Sequence, residues 1–393
     1  MTSNSEPAEP APFPQWRLSG FYLAYYAALG AFTPYWSLFL KARGHDIAAI
    51  SVLMSLWYAT RIVAPSSWGW LAARSARPVR WLRIGCALTL ASFAVFLMPL
   101  GFAATFIAMC AFCAFYNAVM PQFEALTLSH LDGRTERYGR IRVWGSVGFI
   151  GTVVAFGVLF DHVSILWLPA FMLPLFATLL AGSIVNDYAR APLVAPDEDS
   201  EGFTARLRRP EVVAFFVVAL LVQLSFGPHY TFFSIYLEEL GYSASALGIY
   251  WGVAVGVEIL MFFASARLLR HWSAAGLLMA SLLAAVVRWT ITALWPREIM
   301  LMGFAQALHA LCFAAFFAAS MQYMARFFPG RMNGHGQGIF YGFSSGVGGV
   351  LGALLSGLVW QHGGGRLAFL LAAAVAAMAA VIAWTWLRPR RGG

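Results

Sequence analysis

Glu124 lies inside AFYNAVMPQFEALTL and Glu258 inside YWGVAVGVEILMFF, while Arg61 and Arg288 lie equally deep in apolar runs. Nearly all the other acids, of 17 in the chain, fall in connections, in tails or at the ends of such runs. His229 and His309 are also embedded, and Arg142 stands about one turn into the fifth run. A charged side chain at mid-membrane costs roughly 2.5–3.5 kcal/mol on insertion scales, so several together must face one another or a wet cavity. Two chemistries fit. The groups form ion pairs that hold helices in register, or they line a path for a solute and a proton. Carboxylates and imidazoles can take up the proton, and arginines attract an anion.

The elements that carry these residues are set by composition. Of 393 residues, 60% are hydrophobic and 11% charged, with a mean hydropathy of +0.70. Spans of roughly 20 apolar residues would use that content in about twelve crossings, leaving no folded soluble domain. The expected spans are 17–40, 47–72, 80–99, 102–129, 140–160, 164–185, 211–238, 245–266, 274–294, 299–325, 337–360 and 366–387. A soluble enzyme is excluded. The expected fold is all-α and integral to the membrane, with twelve transmembrane helices in two pseudo-symmetric six-helix bundles.

Domain boundaries follow from polar stretches. Residues 1–16, polar and Pro-rich without a basic leader, read as a disordered cytoplasmic tail and not a cleaved signal peptide. Residues 17–186 form the first bundle, 187–209 a cytoplasmic linker, 210–388 the second bundle and 389–393 a cytoplasmic tail. Arginine-rich segments at 74–83, 134–142, 190–209, 267–270, 326–331 and 388–391 alternate with connections holding only Lys41, Arg43, Arg297 and Arg366. That asymmetry places both termini in the cytoplasm, and it accounts for the net charge of +9 without nucleic acid. The halves repeat: YWSLFLKARG (35–44) aligns with FFSIYLEELG (232–241) at an offset of 197, which superimposes Arg61 on Glu258. Parallel repeats of this kind build many secondary transporters.

Other residue types add less. Glycines near 145–151 and 342–357 suit close helix packing. The GHGQG run at 334–338 follows no strand and is no nucleotide loop. Cys86, Cys110, Cys113 and Cys312 read as small apolar filler, with no metal site and no cofactor expected. Tyr22, Tyr25 and Tyr26 share a helical face, as do Phe32, Tyr35, Trp36 and Phe39. Such aromatics are more often lipid-facing or interfacial than ligand-stacking, although Pro34 suggests a bent first helix and a cavity beside Tyr35 and Trp36. Gly227-Pro228 should break the seventh helix next to His229, whose ring satisfies freed backbone groups or binds a ligand.

The stretches GAFTPYWSLFLKARG (30–44), YGRIRVWGS (138–146), FFSIYLEELGYSASALGIYW (232–251) and VRWTITA (287–293) resemble the major facilitator superfamily, in the branch of lactose permease and the 3-phenylpropionate/proton symporter. The resemblance runs from about residue 18 to 388. Its loop motif after the second helix is degraded, with Gly69 in place but Ala73 where an acid is usual. The resemblance implies that Glu124 and Arg142 bind substrate, that Glu258 is the essential acid of the eighth helix, and that Arg288 and His309 belong to proton coupling. Two positions depart from lactose permease: Phe149 replaces the tryptophan on which a galactosyl ring stacks, and Cys312 replaces the proton-carrying glutamate. The first disfavours a galactoside. The second moves the expected proton to Glu258 or Glu124, with His309 next.

The expectation is therefore a secondary transporter of the bacterial inner membrane, working by alternating access. It would import an aromatic carboxylate such as 3-phenylpropionate with protons. Substrate contacts are expected at Glu124, Arg142, Phe149, Glu258, Tyr35 and Trp36, and proton coupling at Glu258, Arg288, His309, Glu124 and Arg61. Three deep arginines against two deep acids leave a positive excess that protonation increases, which suits an anion. An arginine moving toward or away from Glu258 would set its hold on a proton. The alternatives are a proton-coupled sugar or nucleoside symporter, a proton-driven exporter, a transporter-fold sensor, and a polytopic membrane enzyme, though no HExxH occurs and no cluster of catalytic residues falls in a loop large enough to hold a reaction site. The expected partners are a small solute, protons and membrane lipid, with the chain monomeric.

Overall fold

The computed structural model describes residues 13–131, 135–189, 202–330 and 332–387. Most of the expected N-terminal tail, the 190–201 part of the linker and the C-terminal tail lie outside the described residues. The first bundle contains α1 (Gln15–Ala42), α2 (Ile47–Ala73), α3 (Val79–Leu97), α4 (Phe102–Ser129), α5 (Thr135–Phe160) and α6 (Ile165–Val185). The second contains α7 (Pro210–Glu239), α8 (Ala244–His271), α9 (Ala274–Leu294) and α10 (Ile299–Phe327). Its last run, Met332–Trp386, is 55 residues long but breaks at Gly364, whose φ of 64° and ψ of −168° no helix contains. That break yields α11 (332–363) and α12 (365–386).

Among the described residues ten stretches are long and apolar enough to cross a membrane, with the α11–α12 run counted as one. Its break and the 28-residue α1 bring the helices to twelve. At 1.5 Å per residue, α1 is about 42 Å long, more than a hydrocarbon core requires. The chain is a multi-pass membrane protein. The apolar runs locate the helices within a few residues, except that α5, α8 and α11 each extend a turn or more beyond them at one end, where polar residues continue the helix past the hydrocarbon.

The bundles meet along pairs that the internal repeat relates: α2 on α11, α5 on α8 and α1 on α7. Lys41 donates to Glu238 at 2.7 Å, joining positions that differ by the repeat offset of 197. The pair is exposed, so it contributes at most about 1 kcal/mol. Backbone packing holds this end more firmly. A Cβ on Gly248 would come within 2.6 Å of the Val153 carbonyl oxygen, and one on Gly157 within 2.7 Å of the Ala244 carbonyl. The Tyr35 hydroxyl donates to the same Val153 carbonyl at 2.7 Å.

Asp161, just beyond α5, accepts from the Ser245 amide at 3.2 Å at the start of α8. Hydrogen bonding from the Ser245 side chain and amide holds its carboxyl below the usual carboxylate range. The contact is complete at neutral pH and is lost as the pH falls through that lowered value. All of these links lie at the end carrying the 161–164 and 240–243 connections, so the bundles are closed there. Elsewhere along the interface, Gly349 admits the Tyr58 ring and Gly357 admits Ser51. Within the second bundle, Gly227 meets Gly352.

Valine at position 248 has no room while this end is shut. Gly248→Val is expected to raise the alkylation rate of a cysteine placed at Ser245 by several-fold in membranes. An unchanged rate would show that the α5–α8 crossing does not hold the closure.

Candidate functional site

In the second bundle the deep polar residues converge on Arg288, which is completely buried. The ridge of α9 that carries it faces α7 and α10. Its Nη1 lies 2.8 Å from His309 Nδ1, and its Nη2 lies 3.1 Å from His229 Nε2 and 3.0 Å from Gln306 Oε1. The guanidinium also sits over the rings of Trp289 and Phe226, at 4.4 and 5.5 Å. A guanidinium only donates, so each imidazole nitrogen facing it carries a lone pair. For His309 this places the ring proton on Nε2, which lies 3.3 Å from Glu258 Oε2. For His229 it places the proton on Nδ1, a buried atom with no hydrogen-bond partner.

Proton chemistry follows from that tautomer. A second proton on His309 would have to occupy Nδ1 and would face the Arg288 N–H groups directly. Glu258 has no such obstacle, and its side chain is 18% exposed. Within this cluster the carboxylate, unlike the imidazole, is not in direct contact with the guanidinium. Cys312 lies on the π-helical turn Leu311–Ala315, immediately after His309 in α10, and is buried. Such bulges frequently mark functional positions in helices.

The first bundle disposes of its deep charges differently. Glu124 on α4 accepts a short hydrogen bond from the Tyr138 hydroxyl on α5. Arg142, one turn further along α5, donates to the Tyr26 hydroxyl at 2.6 Å and lies 4.0 Å from that ring's centroid. Arg61 is exposed and donates to Asn117 Oδ1 at 3.3 Å. Asn117 is pinned in turn by the Trp57 carbonyl and the Thr60 hydroxyl, both at 3.0 Å. Among the described residues neither arginine lies within 4 Å of a carboxylate, so the ion pairs entertained as a structural role do not form here.

Several expected positions lie elsewhere. Tyr35 and Trp36 are fully buried in packing. Tyr35 is engaged at the closed crossing, and Trp36 donates to Met109 Sδ at 3.0 Å among Phe39, Phe93 and Phe96. Helical spacing put both on one face, but that face turns into the first bundle. Tyr22 and Tyr25 are buried and not lipid-facing, because Tyr25 stacks on Tyr116, whose hydroxyl donates to the Tyr25 carbonyl at 2.6 Å. Phe149 is buried where α5 crosses α1, its carbonyl oxygen 2.6 Å from where a Cβ on Gly30 would stand. Cys110 is exposed on α4, whereas Cys86, Cys113 and Cys312 are buried. The seventh helix does break as expected, between Ser225 and Gly227, and His229 bonds to Arg288 instead of to freed backbone.

Sequence reading missed Gln306, Asn117 and Tyr138. Gln306 had a usable signal, a lone amide at depth three residues before His309 and so on the same helical face. Tyr138 had none, since an interfacial tyrosine is the commoner reading.

If Trp36 serves packing, Trp36→Ala should destabilise the detergent-solubilised protein by about 3–5 kcal/mol while leaving the KM of residual transport within about two-fold. Full thermal stability with a raised KM would instead place the indole at the substrate.

The chain matches the family model described as "MFS_1 like family" over residues 15–371. It is 29% identical over 311 residues to the probable 3-phenylpropionic acid transporter of Escherichia coli K12, covering 77% of this chain and 80% of that one. It is 28% identical over 356 residues to the maltose permease of Geobacillus stearothermophilus, covering 87% and 88%. The crystal structure of the nucleoside transporter NupG superposes with a TM-score of 0.82 at 15% identity, over 96% of this chain and 99% of that one. The likeness to NupG shows the fold. The arrangement of twelve helices and the family match together establish that this chain belongs to the MFS_1-like family and is a secondary transporter of the major facilitator type.

Proposed function

We propose that the protein imports a small aromatic carboxylate, of the 3-phenylpropionate kind, together with a proton. The observation that carries this reading is the state of Arg142 and Arg61. Both donate to neutral oxygens, a phenol and an amide, and both keep their charge available at the interface between bundles. An entering carboxylate can displace the Tyr26 hydroxyl from Arg142 and gain a charge-assisted bond in its place. Tyr26 and its neighbours offer aromatic surface for the ring. The relative named for 3-phenylpropionic acid supports the same class.

Glu258 supplies the proton site in this reading. Its carboxylate binds a proton from one side of the membrane, which removes the one negative charge at depth in the second bundle. The net positive field that results favours the anion at Arg142. Arginine placement supports both termini in the cytoplasm of a bacterium, with the closed end facing outward. The membrane potential would then drive any net inward movement of positive charge, at roughly 2.3 kcal/mol per charge per 100 mV. A sugar is the second reading, favoured by the maltose permease relative.

In proteoliposomes with an internal pH-sensitive dye, 3-phenylpropionate is expected to produce acidification beyond that of lipid alone, and Glu258→Gln is expected to abolish it. Acidification by maltose and not by 3-phenylpropionate would select the sugar reading. Equal acidification by wild type and Glu258→Gln would exclude Glu258 as the proton carrier.

A further inference from the structure

His229 is a buried titratable group that the proposed proton path does not use. It stands two residues past the break in α7, where Phe226 ends one helical segment and Gly227 starts the next. Its ring is enclosed by Trp251 at 4.6 Å, Phe233 at 4.8 Å and Tyr230 at 5.2 Å. Among the described residues the ring makes one hydrogen bond, from Arg288 to Nε2. The aromatic enclosure fixes the ring plane, so Nε2 is presented to the guanidinium as a fixed acceptor.

The three acceptors around Arg288 are all neutral: His309 Nδ1, His229 Nε2 and Gln306 Oε1. A buried guanidinium would ordinarily hydrogen-bond to a carboxylate. The carboxylate at depth in this bundle, Glu258, is one imidazole away and has no contact with Arg288 within 4 Å. The acceptors on α7 and α10 therefore hold the cation back. An arginine in direct contact would keep Glu258 ionised, since an opposite charge within about 4–6 Å lowers a carboxyl by 1–3 pH units.

We infer that His229 is a positioning residue of the transport reaction, holding Arg288 away from Glu258 so that this carboxylate can take a proton. The inference rests on the reading of Glu258 as the proton carrier. The groups that face Glu258 are His309 from α10, Tyr230 from α7, and Tyr26 from α1 with Arg142 bonded to it, while Arg288 from α9, His229 from α7 and Cys312 from α10 stand behind His309. Loss of the His229 acceptor leaves one N–H of Arg288 without its partner, and the carboxylate on the far side of His309 is Glu258. The requirement is for an acceptor at the ring's ε position. Glutamine places its carbonyl oxygen where Nε2 lies, whereas asparagine places its oxygen where Nδ1 lies.

The test is infrared difference spectroscopy of the full-length protein in lipid, titrated from alkaline to acidic pH without any substrate. The protonated-carboxyl band that disappears in Glu258→Gln reports Glu258 directly. His229→Asn is expected to lower the midpoint of that band by about one pH unit or more, and His229→Gln to keep it near the wild-type value. Gln306→Met, which removes a second acceptor on a different helix, is expected to lower it as well. Unchanged midpoints in His229→Asn and Gln306→Met would overturn the inference. Equal lowering by His229→Asn and His229→Gln would also overturn it, because ring packing and not the Nε2 acceptor would then be what matters. A band that persists in Glu258→Gln would overturn the reading of Glu258, and this inference with it.

Discussion

A guanidinium sealed from water needs acceptors within the protein, and Arg288 gives its terminal Nη1 and Nη2 groups to two imidazoles and an amide. Much of the second bundle's chemistry follows from that one arrangement. It ties α9 to α7 and α10, and it fixes which nitrogen of each histidine carries the proton. It leaves Glu258, the proposed proton site, in contact with His309 and out of direct contact with the cation. The same cation would prevent protonation if it touched the carboxylate, so its distance from Glu258 matters as much as its presence.

The first bundle solves a different problem with the same residue types. There the arginines are only lightly engaged, by a phenol and an amide, and the acid is capped by Tyr138. One bundle thus holds its cation inside a closed network, while the other keeps its cations near the interface between bundles. The repeat that superimposes Arg61 on Glu258 puts a cation on one side and an acid on the other at related positions. In the proposed symport, proton and anion would meet opposite charges across the interface as the bundles rock about the α2–α11 and α5–α8 crossings.

Much of this was legible in the sequence, for physical reasons that can be named. Apolar run length located the helices because hydrocarbon thickness sets it, and α1 was found despite its many tyrosines because Arg17 and Lys41 bound it. Glu258 and Arg288 stood out because charge at that depth is costly. Their partners were harder to read. His229 and Arg288 are 59 residues apart, and no local pattern says that α7 turns this ring toward α9. Trp36 misled for a related reason: helical periodicity shows which residues share a face, but not whether that face meets a cavity or the aromatic core of its own bundle. The π-helical turn after His309 was also hidden, since one extra residue in a helical turn leaves no mark in an apolar run.

The central claim is that Arg288 keeps His309 neutral while Glu258 changes charge, and the histidine nitrogens report this directly. Nitrogen-15 magnetic resonance on histidine-labelled protein in lipid, with His309→Gln and His229→Gln used to assign the signals, would be recorded across the pH range in which Glu258 titrates. The account predicts a neutral His309 with its proton on Nε2 throughout, and a neutral His229 with its proton on Nδ1. An imidazolium signal from His309 appearing as the pH falls, with Glu258 still ionised, would contradict it.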